Sequence, residues 1–178
     1  MFRYVCMEKI CHTPFGPLII VAARKKLVYC NWLAPECERK LKKIKEAFPY
    51  EYCQEDYEII EETQKQIAFY LRGELQSFEL PLAPSGSEFQ IKVWHALMDI
   101  PYGSVSTYSR ISEAVGKPGA FRAVAAACGA NPLAIIIPCH RVVAANHIGG
   151  YTGGIDKKIS LLKIENPDNR GIPFPPSD

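Results

Sequence analysis

One segment of the sequence combines residue types that could perform nucleophilic chemistry. It reads IIIPCHRVV over residues 135–143 and places Cys139 between Pro138 and His140. The proline restricts the backbone that enters the cysteine, and the flanking Ile and Val side chains favour burial, so the thiol would be held in one place. A neighbouring imidazole can accept the thiol proton and stabilise the reactive thiolate. The segment therefore predicts a cysteine nucleophile, although a buried cysteine beside a structural histidine fits the spacing equally well.

His140 needs help from other parts of the chain to act on this cysteine. Adjacent residues of an extended segment point to opposite faces, so contact between His140 and Cys139 requires a turn or a bridging water. The imidazole also needs an acidic partner to fix its tautomer. Glu165 is our candidate, because it lies on a helix predicted over about residues 155–165.

The elements just before this segment are predicted to be helical. Ser87 and Gln90 have the spacing of a capping box, and an apolar helical face follows them: Phe89, Val93, Trp94 and Leu97. Two shorter helices are predicted over residues 107–115 and 120–128, and each ends at a glycine. The tight turn GKPG joins them, which is the layout of a helix-turn-helix.

The first half of the chain has the pattern of a mixed α/β scaffold. Residues 17–23 and 27–33 are short β-rich runs that predict a hairpin, and residues 78–82 predict a further strand. Helical spacing of apolar residues predicts helices over 36–48 and 59–72, the second stopped by Gly73. The segment PLAPSGS (81–87) has the composition of a linker, so we expect domains over residues 1–85 and 86–178.

Composition excludes some classes of protein. Of the 178 residues 48% are apolar and 22% charged, as in a globular protein, and no apolar run is long enough to span a bilayer. The start lacks the layout of a secretory signal, so we expect a cytoplasmic protein, or a nuclear one in a eukaryote. The odd number of cysteines, seven, argues against a disulfide framework. The net charge of +2 lies in residues 86–178, which is too small an excess to indicate DNA binding by itself.

The second half resembles a known family at several motifs. IPCHRVV resembles the active-site signature of the O6-alkylguanine-DNA alkyltransferases. Tyr108 in STYSR, Arg122 and Asn131 in FRAVAAACGANP, YTGG (151–154) and Glu165 stand where that family has functional residues. The resemblance is strong over about residues 86–166 and weaker before them, where TPFGPL carries it.

The resemblance implies an α+β fold and a DNA-repair activity. The expected architecture is an N-terminal ribonuclease-H-like α/β domain followed by a mostly helical C-terminal domain with a winged-helix-like helix-turn-helix. The expected reaction is the single, irreversible transfer of an alkyl group from O6-alkylguanine in DNA to Cys139, with no cofactor. Some members bind zinc in the N-terminal domain, but Ala23 and Val28 stand where two of its ligands would fall. The scattered Cys and His residues nearby (Cys6, Cys11, His12 and Cys30) show no paired metal-ligand spacing either, so no metal site is expected.

The resemblance also assigns roles to individual residues. The expected catalytic residues are Cys139, His140, Glu165 and Tyr108. Contacts with the minor groove of double-stranded DNA are expected from Arg122, Tyr108, Ala123, Ala126, Ala127 and Gly129. The substrate pocket is expected to comprise Asn131, Pro138, Val142, Tyr151, Thr152 and Gly153. Arg122 would fill the gap left by a flipped nucleotide, and a monomer would suffice for the reaction.

Other roles are possible for the same residues. Arg122 could instead contact a phosphate, Tyr108 could be structural, and the small residues 123–130 could serve close helix packing. A cysteine hydrolase would need an oxyanion hole and a general base, and would leave the helix-turn-helix unexplained. A lesion-binding relative without transfer activity would lack the cysteine, and a structural metal module has still less support.

Overall fold

A computed structural model describes residues 6–34, 41–44, 46 and 54–168, and it divides the chain into two compact units. The first unit is Met1–Ser85 and the second is Gly86–Asp178. Both contain helices and strands, so the fold is of the mixed α/β class. None of the helices in these described ranges is long and apolar enough to cross a membrane.

The first unit is built on a three-stranded antiparallel sheet with β2 in the centre. Its strands are β1 (Cys6–Thr13), β2 (Gly16–Ala23) and β3 (Lys26–Trp32). The hairpin predicted for the second and third strands is confirmed. Arg24 and Lys25 form its two-residue turn with φ of 53° and 59°, the backbone that such tight hairpins require. The Lys25 N–H donates to the Asp56 carboxylate at 2.6 Å, which holds this turn in place.

A long helix, α1 (Gln54–Leu71), packs on this sheet through buried residues that include Ile60, Ile67 and Tyr70. It ends where predicted, because Gly73 has a φ of 74° and its N–H donates to the Tyr70 carbonyl at 2.9 Å. Residues 41–44 are also helical, whereas the remainder of the helix predicted over 36–48 lies almost entirely outside the described residues. The tail after residue 168, expected to be irregular, lies outside them as well.

One prediction for the first unit is wrong, and one strand was not predicted. The strand expected over residues 78–82 is reduced to one bridge between Leu82 and Leu27, since Pro81 has no N–H to donate to a ladder. The strand β1 reads CMEKICHT and lacks the strict alternation of apolar and polar residues that predicts a strand. It is ordered by pairing with the buried strand β2.

The second unit is mostly helical. Its helices are α2 (Glu88–Met98), α3 (Tyr108–Ala114), α4 (Phe121–Gly129) and α5 (Ile155–Glu165). The strands β4 (Ser106–Thr107) and β5 (Val142–Val143) form a short parallel pair, and a 3-10 turn covers Cys139–Arg141. The buried side chains that join these elements include Val93, Trp94, Leu97, Ile111, Val124, Leu133 and Leu161.

The helices of this unit begin and end close to the predicted residues. Ser87 and Gln90 form the expected capping box, with side-chain to backbone hydrogen bonds in both directions. The Thr107 hydroxyl caps α3 by accepting from the Arg110 N–H. A six-residue connection joins α3 to α4, and its two glycines, Gly116 and Gly119, adopt positive φ.

Candidate functional site

A tight turn presents the Cys139 thiol. The Ile137 N–H donates to the Leu133 carbonyl at 2.8 Å, and the Cys139 N–H donates to the Ile137 carbonyl at the same distance. Ile135 has a φ of 72°, a strained conformation for a β-branched residue, and the buried surroundings hold it there. The 3-10 turn then places Cys139 at its first position. The thiol is therefore fixed by the backbone on both sides.

Asn131 contacts the thiol directly. Its side-chain amide donates to the Cys139 sulfur at 3.2 Å and to the Ile137 carbonyl at 2.9 Å, while its oxygen accepts from the Leu133 N–H at 2.9 Å. The Asn131 side chain is buried, and the residue lies two positions after the last residue of α4. Asn131 therefore links the end of α4 to the turn that carries the thiol.

Cys139 is only 7% exposed, but it lines a cavity of about 460 Å³. Cavities of this size accommodate small organic ligands. The lining residues are Tyr108, Ala125, Cys128, Gly129, Cys139, His147, Gly149, Gly150, Tyr151 and Thr152. They come from α3, α4, the 3-10 turn and the loop before α5, so four separate segments of the second unit converge on one thiol.

The expected partnership of His140 and Glu165 is present. The His140 Nε2 atom lies 2.7 Å from the Glu165 Oε1 atom, and both side chains are fully buried. Arg141 donates to the same carboxylate from Nε and Nη2 at 2.9–3.1 Å, and its Nη1 donates to the Ile100 carbonyl at 2.7 Å. The Gly103 N–H adds a further bond to Oε2 at 3.1 Å. This network ties the end of α5 to the turn that carries the cysteine.

The charges in this network determine which groups can accept a proton. Burial by itself would raise the pKa of Glu165, but hydrogen bonds and charges from His140 and Arg141 lower it to about 2. Burial lowers the pKa of His140, although Glu165 opposes the effect. An ionised carboxylate can only accept, so Nε2 of His140 carries its hydrogen and Nδ1 is the nitrogen able to take a proton. The site thus contains a neutral imidazole held in one tautomer beside the thiol.

The thiols of the cavity differ in their surroundings. Burial raises the pKa of Cys139, and the hydrogen bond from Asn131 and the charge of Lys158 partly oppose this increase. Burial raises the pKa of Cys128 to about 12. Cys139 differs in that its sulfur accepts a hydrogen bond from the Asn131 amide.

The loop before α5 forms the opposite wall of the cavity. Gly149 has a φ of 76°, and a Cβ atom there would lie 3.0 Å from the Tyr108 hydroxyl oxygen. The Thr152 hydroxyl, from a residue of the expected substrate pocket, donates to the Gly129 carbonyl at 3.2 Å. Thr152 therefore connects this loop to the end of α4.

Most of the small residues of α4 face outward. Arg122, Ala123, Ala125, Ala126 and Gly129 are exposed, as an interface requires. One DNA-contact prediction needs correction, because Ala127 is 2% exposed. The helical period turns it toward the core, and its carbonyl accepts from the indole N–H of Trp94 at 2.9 Å.

The predicted pocket residues separate into two groups. Tyr151 and Thr152 line the cavity, whereas Pro138, Val142 and Gly153 do not. Asn131 does not line it either, but its side chain donates to the Cys139 sulfur. Pro138 and Val142 are buried in the segment that carries Cys139, so they support the nucleophile rather than form the pocket wall.

Several contributors to the site were not predicted from the sequence. Arg141 stands in the quoted motif but was given no partner, and Cys128, His147 and Gly149 were not assigned to the pocket. Cys128 lies three residues after Ala125, so the helical period places both on one face of α4. Nothing local in the sequence indicates the loop residues. Within the described residues, no three His, Cys, Asp or Glu side chains are grouped so as to hold a metal ion.

Comparison with known proteins identifies close relatives. The family model described as "6-O-methylguanine DNA methyltransferase, DNA binding domain" matches residues 88–167. The methylated-DNA–protein-cysteine methyltransferase of Methanosarcina acetivorans is 43% identical over 157 residues, which are 88% of this chain and 96% of that protein. The inducible enzyme of that name from Bacillus subtilis is 39% identical, over 82% of each chain.

Solved structures agree with the sequence relatives. The O6-methylguanine methyltransferase of Mycobacterium tuberculosis superimposes with a TM-score of 0.75 at 32% identity, covering 98% of this chain and 97% of that one. The structure of Mycobacterium tuberculosis OGT in complex with DNA gives a TM-score of 0.73 at 34% identity, with 92% of each chain covered. On this evidence the chain belongs to the methylated-DNA–protein-cysteine methyltransferase family.

Proposed function

We propose that this protein repairs DNA by transferring an alkyl group from the O6 atom of guanine to Cys139, once per molecule. The observation that carries the proposal is the placement of Cys139. A thiol fixed by Asn131, followed directly by the His140–Glu165 pair, lines a cavity beside a helix whose exposed residues after Arg122 are all alanine or glycine. The family's domain match over residues 88–167 covers all of these features.

The chemistry follows from the groups present. His140 accepts the thiol proton through a bridging water, and the Cys139 thiolate attacks the alkyl carbon. A carbon–sulfur bond forms as the carbon–oxygen bond breaks, and its electron pair stays on the guanine. The O6 carbonyl is restored when N1 of the guanine takes up a proton, which replaces the one that the thiol lost. The Tyr108 hydroxyl, on the cavity wall, supplies a hydrogen bond to the departing base. The thioether product is not open to thiol exchange, so the protein acts once.

The DNA-binding surface in this proposal is the exposed face of α4. O6 of guanine lies within the base stack, so a protein thiol reaches it only when the nucleotide is rotated out. A helix with alanine and glycine on its surface can enter a narrow minor groove, and a planar guanidinium such as that of Arg122 can replace the missing base. The α3–α4 pair would then be a winged-helix-like helix-turn-helix, and a single copy of the chain would be sufficient.

The first unit would serve as a scaffold of the ribonuclease-H-like kind. Its three-stranded antiparallel sheet packed against a helix is compatible with that architecture.

A labelled substrate tests the proposed transfer. The protein is mixed with a duplex containing one O6-methylguanine whose methyl carbon is isotopically labelled, and with a matched duplex that lacks the modification. We expect label to move to the protein from the modified duplex, in an amount that saturates at one methyl group per molecule. Tight binding without movement of label would favour a lesion-binding protein. Release of the label into solution with continuing turnover would favour a hydrolase.

Arg122→Ala is expected to slow transfer from duplex DNA strongly and transfer from a free O6-alkylguanine base only slightly. The side chain is exposed and would fill the gap left by the rotated nucleotide, a task that the free base does not require. The measurement is the rate of transfer from each substrate under single-turnover conditions. Arg122→Lys separates two roles, since lysine retains a phosphate contact but cannot stack as a planar group. Equal losses on both substrates would show that Arg122 has no part in rotating the nucleotide.

Gly149→Ala is expected to slow transfer by roughly tenfold to a hundredfold, because small displacements of positioning groups have effects of this size. The new Cβ would press on Tyr108 at 3.0 Å, and the backbone conformation with φ of 76° disfavours alanine. Gly150→Ala is the matched control, since Gly150 lines the same cavity and a Cβ there meets nothing within 4 Å. The prediction fails if the two variants react at the same rate.

A further inference from the structure

A buried lysine connects the two segments that frame the reactive thiol. Lys158 lies on α5 with no exposed surface. Its ammonium donates to the Val142 carbonyl at 2.6 Å and to the Gly150 carbonyl at 3.1 Å. Val142 directly follows the 3-10 turn that carries Cys139, and Gly150 lines the cavity. One cation therefore holds the strand after the nucleophile and the loop of the opposite wall together.

We propose that Lys158 is a positioning residue for alkyl transfer, which fixes the cavity loop against the nucleophile segment and stabilises the Cys139 thiolate by its charge. The statement about transfer rests on the proposed function, whereas the statement about the thiol concerns the free protein.

The energetics of burial support a functional reason for this lysine. A buried ammonium loses its hydration, and two carbonyl partners replace only part of it. Burial accordingly lowers the pKa of Lys158 to about 8, while the neighbouring thiols raise it. A methionine would fill the same space without the cost of burying a charge. The protein thus contains a buried charge, with its desolvation cost, between the nucleophile segment and the cavity loop.

The charge acts on three titratable groups. It favours ionisation of the thiols of Cys139 and Cys128, and it lowers the pKa of His140, which keeps that imidazole neutral. The effects on Cys139 and His140 assist the proposed reaction, because the nucleophile must lose a proton and the imidazole must be able to accept one. The hydrogen bond from Asn131 and the charge of Lys158 are thus two separate stabilising influences on the same sulfur.

The direct test is titration of the Cys139 thiol in the free, full-length protein. The rate of alkylation by iodoacetamide is measured against pH, and peptide mapping separates Cys139 from Cys128. We expect Lys158→Met to raise the apparent pKa of Cys139 by about one unit, as loss of a nearby opposite charge does. Lys163→Met is the matched control, since it removes an exposed lysine from the same helix and should leave the thiol unchanged. An unchanged Cys139 titration in Lys158→Met would overturn the electrostatic role.

A second variant separates charge from hydrogen bonding. Lys158→Gln retains an amide donor for the carbonyls but has no charge, so it keeps part of the connection between the segments. We expect its Cys139 titration to shift like that of Lys158→Met, and it provides the test if the methionine variant does not fold. A normal titration in the glutamine variant would show that the charge is irrelevant to the thiol.

The rate of alkyl transfer by Lys158→Met tests whether the change in the Cys139 pKa affects the reaction. In Lys158→Met the rate of transfer at saturating duplex should fall about tenfold at neutral pH, since a thiol pKa one unit higher leaves a tenth of the thiolate. The dissociation constant for the modified duplex should stay within about twofold, because Lys158 does not reach the surface. A raised dissociation constant with an unchanged rate would contradict the positioning role. Absence of transfer by the unaltered protein would refute the proposed function but leave the thiol titration as a valid test.

Discussion

Replacing Cys139 by alanine is expected to abolish alkyl transfer and to leave binding of the modified duplex within about twofold of the original affinity. The substitution removes the nucleophile but little volume from a side chain that is already 7% exposed. Asn131 keeps its bonds to Ile137 and Leu133 after the sulfur is lost, so the turn should persist. The Cys139→Ala variant should therefore bind the modified duplex but transfer no alkyl group.

Transfer of labelled methyl groups and a binding titration with the same duplex measure the two effects. Cys128→Ala is the matched control, because its thiol lines the same cavity and burial raises its pKa to about 12. That variant should still accept one methyl group per molecule. Methyl transfer to Cys128 or to any other residue in the Cys139→Ala variant would contradict the assignment of the acceptor.

Glu165→Ala is expected to destabilise the second unit by about 3 to 5 kcal/mol, the usual cost of removing one partner from a buried ion pair. Arg141 and His140 would both lose their carboxylate, and the Gly103 N–H would lose its acceptor. Transfer should also slow, since His140 would no longer be held in a single tautomer. Denaturant unfolding followed by Trp94 fluorescence, in a Trp32→Phe background, reports on the second unit alone.

The loss of stability caused by Glu165→Ala should also depend on pH. The pKa of Glu165 is lowered from 4.5 to about 2 in the folded protein, so its stabilising contribution is complete above pH 4.5 and is lost as the pH falls toward 2. The stability difference between the original protein and Glu165→Ala should therefore shrink as the pH falls through this range. Glu113→Ala, which removes an exposed carboxylate from α3, should show neither effect. A stability difference that stays constant down to pH 2 would mean that this carboxylate is not held ionised by its neighbours.

Sequence patterns predicted the elements whose signals are local. The capping box at Ser87 and Gln90, the stop of α1 at Gly73 and the hairpin at Arg24 and Lys25 all depend on residues within a few positions of each other. The local pattern around Cys139 fitted a nucleophile and a buried structural cysteine equally well, and the family resemblance decided between them. The Asn131 amide that contacts the thiol lies eight residues away. Glu165 as the partner of His140 required the family resemblance as well as the predicted final helix.

The remaining features depend on contacts distant in sequence. Ala127 looks like its neighbours on α4, and only its packing against Trp94 separates it from the exposed alanines. Lys158 resembles any solvated lysine at the start of a helix, and its burial follows from carbonyls 8 and 16 residues away. The prediction of a strand over residues 78–82 was wrong because it relied on the apolar residues of that segment. It gave too little weight to Pro81, which has no N–H to donate to a neighbouring strand.

Intact-mass measurement of the protein after reaction with a duplex that contains one O6-methylguanine tests whether Cys139 accepts the alkyl group. We expect a gain of a single CH₂ unit, located on Cys139 by peptide mapping, that stops at one per molecule while the duplex regains normal guanine. An unchanged mass, or a gain located on another residue, would contradict it.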